Sequence, residues 1–124
     1  DNGYFSRILC VQDLSAVTAA CLMVRKSVYD EVKGLDEDYR VAFNDIDFCL
    51  KVRKAGYLVV YNPYAQFYHY ESKSRGLEDS ADKVARFQQE IALFGSHWED
   101  ILEHGDPYYN PNLTLDKADF SLKE

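Results

Sequence analysis

The sequence predicts a mixed α/β fold: a short sheet flanked by helices, with a long helix toward the C-terminus. Three observations predict it. A helical stretch over 44–56 runs directly into Tyr57-Leu-Val-Val-Tyr61, whose β-branched and aromatic residues favour a strand. A second extended run, Ala65-Gln-Phe-Tyr-His69, follows a turn at Asn62 to Tyr64. Finally, Val84, Phe87, Ile91, Phe94, Trp98 and Ile101 recur at spacings of three and four, the repeat of one helix face.

The bulk properties narrow the function. A chain of 124 residues holds one domain with a real core but is short for an enzyme that binds two substrates. Its apolar content of 47% and aromatic content of 15% imply a packed globule rather than disorder. Ten tyrosines suggest half-wet surfaces, because a tyrosine buries its ring while its hydroxyl keeps a polar partner. A net charge of -7 argues against nucleic acid as a partner, since that binding rests on neutralising phosphates. Cys10, Cys21 and Cys49 are odd in number and lack metal-type spacing, so they read as reduced core residues of a cytosolic protein. No apolar run approaches the ~20 residues that span a bilayer. The opening Asp-Asn-Gly, without an initiator Met, suggests a processed or excised piece.

In chain order, Ile8 to Val11 reads as an edge strand and Ser15 to Val24 as a buried strand of small residues, which either pack closely or leave room for a ligand. Ser27 to Val32 reads as a short helix capped by Ser27 and ended by Lys33-Gly34. The acidic turn Leu35-Asp-Glu-Asp-Tyr39 leads into the helix at 44–56. There Asn44 is the expected N-cap, Asp47 the capping-box acid and Gly56 the stop. Asp45 then falls in the first helical turn, where unpaired N–H groups and the helix dipole favour negative charge, a suitable place for a general base. The polar loop 71–76 follows His69, and Ser80 caps a helix that runs to Gly105, ~36 Å long at ~1.5 Å per residue. The tail over 106–124 is Pro- and Asn-rich and reads as extended.

Beyond these local readings, a resemblance lies in Thr18-Ala-Ala-Cys-Leu-Met-Val-Arg25, Gly34-Leu-Asp-Glu37, Phe43-Asn-Asp-Ile-Asp-Phe-Cys-Leu50, Ala55-Gly-Tyr57 and Tyr68-His-Tyr-Glu-Ser-Lys-Ser-Arg-Gly76. Taken in this order, these motifs strongly resemble bacterial family 2 glycosyltransferases, and the closing Asp106-Pro-Tyr-Tyr-Asn-Pro-Asn-Leu-Thr-Leu115 region looks like the end of the rhamnan and O-antigen type members. The resemblance covers nearly the whole chain. It implies a GT-A fold of which this chain is the C-terminal, acceptor-side half: residues 1–79 as core, 80–105 as long helix and 106–124 as tail. The nucleotide-binding strands and the Asp-x-Asp metal motif would lie in a missing N-terminal half, so the isolated piece is expected to be inactive.

The resemblance also implies an inverting transfer from a nucleotide-sugar donor to a hydroxyl of a polysaccharide or lipid-linked acceptor. A divalent cation, Mn or Mg, would assist the departing diphosphate. Asp45 matches the base position. Asp36, Glu37 and Asp47 read as acceptor-side acids; Asp47 lies ~200° round the helix from Asp45, on another face. His69 matches a metal-ligand position, although Tyr70 stands where many relatives carry a second His. Ser72, Ser74 and Arg75 match the loop over the diphosphate. The implied location is cytoplasmic, free or at the inner face of the membrane. The alternative reading is a non-catalytic interaction module that forms a homodimer through its exposed face.

Overall fold

A computed structural model describes residues 3–40, 42–70 and 81–123. Helices surround a small antiparallel sheet, so the mixed α/β character holds. In chain order the elements are β1 (Gln12–Asp13), α1 (Lys26–Glu31), α2 (Asn44–Lys54), β2 (Val60–Tyr61), α3 (Ala81–His97) and α4 (Glu99–His104). Short 3-10 turns occupy Tyr4–Leu9 and Ala19–Cys21. Gln12 pairs with Tyr61 and Asp13 with Val60, and the Leu14 N–H continues the ladder to the Val59 carbonyl at 2.9 Å.

The core forms where α2 lies on α1 and on the start of the sheet. Val28, Phe48, Cys49, Val52 and Val59 are buried together, with Ala16, Val17, Leu22, Val24 and Val32 packed against them. Three of the five come from α2 at 48, 49 and 52, the inward face of one helix. Between α1 and the acidic turn, Lys33 and Gly34 both take left-handed backbone angles, and the chain passes so close to Tyr29 that a Cβ on Gly34 would sit 2.7 Å from its ring. That explains the glycine, and Lys51 Nζ donates to the Gly34 carbonyl at 2.7 Å, tying α2 to this corner.

Several expectations are corrected. Ile8 to Val11 is not a strand; the pairing falls on Gln12–Asp13 instead. Ser15 to Val24 is irregular, with the turn at Ala19–Cys21, because its carbonyls and amides meet side chains rather than a neighbouring strand. Of Tyr57 to Tyr61 only Val60–Tyr61 is strand, with the Val59 carbonyl accepting one further bond, and the second strand expected at Ala65 to His69 does not form. A strand needs a partner as well as propensity. α1 starts one residue early with Arg25, not Ser27, as its N-cap. Only Cys49 is a core cysteine; Cys10 and Cys21 are exposed.

The long helix is broken. α3 ends at His97, and Trp98 leaves helical geometry with φ -124° and ψ 28° before α4 begins. The cause is visible in the Trp98 side chain, which is buried and anchored to α2. The tail is folded rather than extended. Leu113 bridges Leu122, Thr114 donates its N–H to the Ser121 carbonyl at 2.8 Å, and Phe120 stacks on Tyr4 with centroids 4.8 Å apart. No described helix is long and apolar enough to cross a membrane.

Candidate functional site

The site is built around the N-terminus of α2. The residue before that helix is Phe43, not Asn44, and it takes a left-handed conformation, φ 65° and ψ -5°, that a bulky side chain adopts only under constraint. The constraint is aromatic. The Phe43 ring stacks on Phe87 at 5.8 Å and on Phe94 at 5.1 Å between centroids, both on α3.

α3 also holds the loop ahead of Phe43 by its polar groups. Glu90 is 2% exposed, and its carboxylate accepts the Arg40 N–H through Oε1 and the Ala42 N–H through Oε2, each at 2.8 Å. Arg86, one turn earlier on the same helix, donates to Glu90 Oε1 at 3.3 Å and offsets the buried charge. These are backbone amides that no secondary structure satisfies, so a charged acceptor meets an obligatory need.

Downstream of this clamp, Asn44 is the first residue of the helix. Its side-chain oxygen accepts the Asp45 N–H at 2.8 Å, one of the donors that a helix start leaves orphaned. Asp45 does the same for Ile46, with Oδ1 accepting at 2.9 Å, while its Oδ2 accepts the Ala19 N–H at 3.2 Å from the turn at Ala19–Cys21. That turn is itself set by Thr18, whose hydroxyl accepts the Ala20 N–H at 3.3 Å. Asp45 is half-buried. Each oxygen accepts one amide, which leaves each a lone pair for a further donor. The carboxylate is therefore fixed in direction yet able to take a proton from a group that reaches it.

Asp47 has a different role from the one expected. Its side chain does not cap the helix and does not face solvent: the residue is 2% exposed, Oδ1 accepts the Trp98 indole N–H at 2.9 Å, and Lys51 Nζ stands 3.5 Å from Oδ2. Oδ2 has no hydrogen bond beyond that ion pair. A buried carboxylate of this kind does not touch an acceptor from solution; it binds α2 to the α3–α4 junction. The separation of Asp45 and Asp47 onto different faces holds.

The other acids stand nearby in sequence but bond locally. Asp36 Oδ1 accepts the Asp38 N–H at 2.9 Å, closing the acidic turn, and Glu37 is exposed. The turn delivers Tyr39, which is buried and whose hydroxyl shares a 3.0 Å hydrogen bond with His97 Nδ1. Burial, reinforced by Asp47 and then by Asp36, Asp38 and Glu90, pushes the Tyr39 phenol up to about 12. Burial likewise raises the Cys49 thiol, with Asp45 adding to the effect against a hydrogen bond to the Val17 carbonyl.

His69 is exposed in an irregular stretch after Pro63 rather than at a strand end. Ser72, Ser74 and Arg75 lie outside the described residues, as does Ser80. Among the described residues no three His, Cys, Asp or Glu side chains stand together as a metal site.

Glu90, Phe43 and Trp98 are the organising residues that sequence reasoning missed in this role. One signal was present for Glu90: it falls three residues after Phe87 and four before Phe94, an acid inside the apolar stripe.

Comparison with known proteins finds no matching family model and no matching solved structure. The chain is 50% identical over 121 residues to uncharacterized protein y4gI of Sinorhizobium fredii, which covers 97% of this chain and 13% of that protein. It is 32% identical over 108 residues to O-antigen biosynthesis protein RfbC of Myxococcus xanthus, covering 87% of this chain and 8% of the relative. A third relative, N-acetylglucosaminyl-diphospho-decaprenol L-rhamnosyltransferase of Mycobacterium tuberculosis, is 35% identical over 78 residues, 63% of this chain and 25% of the relative. The chain thus spans a minor part of each relative's length, and two of the three bear names of glycosyl transfer or O-antigen synthesis.

Proposed function

We propose that this chain is the acceptor-side part of an inverting glycosyltransferase of the GT-A, family 2 kind, acting in surface-polysaccharide synthesis. The observation that carries the reading is Asp45, a half-buried carboxylate aimed by the Ala19 and Ile46 amides with a lone pair left on each oxygen. The resemblance of 43–50 to the base motif and the names of the myxobacterial and mycobacterial relatives support it.

In this reading an acceptor hydroxyl donates its hydrogen bond to Asp45. As the carboxylate takes the proton, the hydroxyl oxygen attacks the anomeric carbon of the donor from the face opposite the leaving group. The nucleoside diphosphate departs with the electron pair of the broken glycosidic bond, and the configuration inverts in one displacement without a sugar–enzyme intermediate. The clamp of Glu90 and the Phe87–Phe43–Phe94 stack keeps Asp45 from rotating with the loop, which matters because general-base catalysis depends on placement within hydrogen-bond reach. His69 as a metal ligand, and Ser72, Ser74 and Arg75 as diphosphate contacts, belong to the same proposal. Besides His69, a divalent cation would draw its ligands from beyond the described residues. The reaction belongs in the cytoplasm, where nucleotide sugars are made, with a polysaccharide or lipid-linked acceptor.

The test is transfer of labelled sugar by the polypeptide in its natural reading frame, across a panel of nucleotide sugars and a lipid-linked acceptor. Transfer from at least one donor is expected; none from any donor, with the protein folded, would overturn the reading. A non-catalytic interaction module is the second reading, favoured by exposed apolar side chains such as Met23 at 99% and Leu58 at 64%. Sedimentation separates it: the module requires self-association, and a strict monomer counts against it.

A further inference from the structure

A cleft of about 490 Å3 opens between the C-terminal half of α2 and α4, within the size range of small-molecule sites. The buried Trp98 forms part of its lining, together with Tyr57, Tyr108, Arg53, Lys54 and Asp100. Trp98 is bonded to Asp47, ~200° round α2 from Asp45, and Arg53 follows Asp45 by eight residues, ~12 Å along the axis. The cleft is therefore separate from the candidate base.

Its cations are held in an unusual way. The Arg53 guanidinium carbon lies 5.3 Å from the Tyr108 ring centroid and Lys54 Nζ lies 5.8 Å from that of Trp98. Among the described residues neither cation has a carboxylate partner; Asp100 lines the cleft without pairing to them. Arg53 Nη1 is shut from water and has no hydrogen-bond acceptor. This happens in a chain where 21 acidic residues outnumber 14 basic ones, so acids to neutralise two adjacent cations are abundant. Tyr57 and Tyr108 stay partly exposed beside them, offering ring surface next to positive charge.

We infer that the cleft between α2 and α4 binds a phosphorylated sugar, its anion on Arg53 and Lys54 and its ring against Tyr57 and Tyr108. The anionic half of this assignment rests on the two cations; the sugar half rests on the glycosyl-transfer reading. The phosphate belongs either to a free sugar phosphate or to a lipid-borne one, since the guanidinium fork and the ammonium recognise both.

Trp98 is the single tryptophan of the chain, and its fluorescence reports on the cleft directly. The 124-residue chain is titrated with glucose 1-phosphate and, in a second arm, with phosphatidylcholine vesicles containing a lipid-linked glucose phosphate. Saturable change in the first arm identifies a free ligand, and in the second a lipid-borne one; either supports the assignment. Neutral glucose gives no change. R53Q weakens binding about tenfold or more, R53K, which keeps the charge but loses the fork, weakens it less than R53Q, and K54Q, on an exposed side chain, weakens it without touching the fold. The assignment is overturned if neither arm saturates, if glucose binds as well as glucose 1-phosphate, or if R53Q and K54Q titrate like the parent. D45N leaves the titration unchanged, so loss of transfer and loss of this binding are told apart.

Discussion

At the scale of single residues, the chain uses buried polar groups as ties between segments distant in sequence. Asp47 and Trp98 are the sharpest pair: among the described residues the one hydrogen bond to the Asp47 carboxylate comes from an indole N–H 51 residues away, and Lys51 supplies the charge balance. Trp98→Phe keeps most of the ring and deletes the donor, so it is expected to cost about 1–3 kcal/mol, read as a lower urea midpoint at unchanged slope. A loss below about 0.5 kcal/mol would mean that Asp47 does not depend on the indole. Tyr39 makes a pH prediction. Its phenol ordinarily titrates near 10 and is raised to about 12 here, so the folded state holds its proton where the unfolded state releases it. The stability it contributes is complete below pH 10 and is lost as pH rises from 10 through 12. Alkaline unfolding followed by circular dichroism should show this loss, and Tyr39→Phe should flatten it.

Among the elements, α3 is the one that prepares the candidate site without contributing a group to the chemistry. Glu90→Ala leaves the Arg40 and Ala42 amides without their acceptor and is expected to cost about 3 kcal/mol or more. Amide hydrogen exchange should locate the loss at 40–46; uniform acceleration across the chain would instead mark Glu90 as a general stability residue. The same elements show what was legible in the sequence. α2 was readable to within a residue because its apolar face and stop signal are local, but the cap was not: Asn44 is a better capping residue than Phe43, and Phe43 precedes the helix only because two rings on α3 hold it there. The stripe on α3 was legible, while its end at His97 was not, since the break follows from a tertiary bond of Trp98. The strands were over-read because β-branched residues report a capacity to pair, and the neighbours decide how far pairing goes.

For the whole molecule, the described structure places one candidate acid at a surface and encloses the other in the interior. That division was half legible: helical spacing put Asp45 and Asp47 on different faces, but only the fold shows that one face is filled by Trp98. Apolar side chains stay exposed at Leu58 and Val60, and the chain spans a minor part of each relative's length.

The central claim is that Asp45 is the base of a glycosyl transfer. It is tested most directly by single-turnover transfer in the natural polypeptide carrying Asp45→Asn, with donor affinity measured on the same sample. The amide can still accept the Ala19 N–H through its oxygen but cannot take a proton, so the rate is expected to fall by about 10²–10⁴-fold with donor binding unchanged. A rate within about twofold of the parent would contradict the claim and return Asp45 to the role of a helix-start acid.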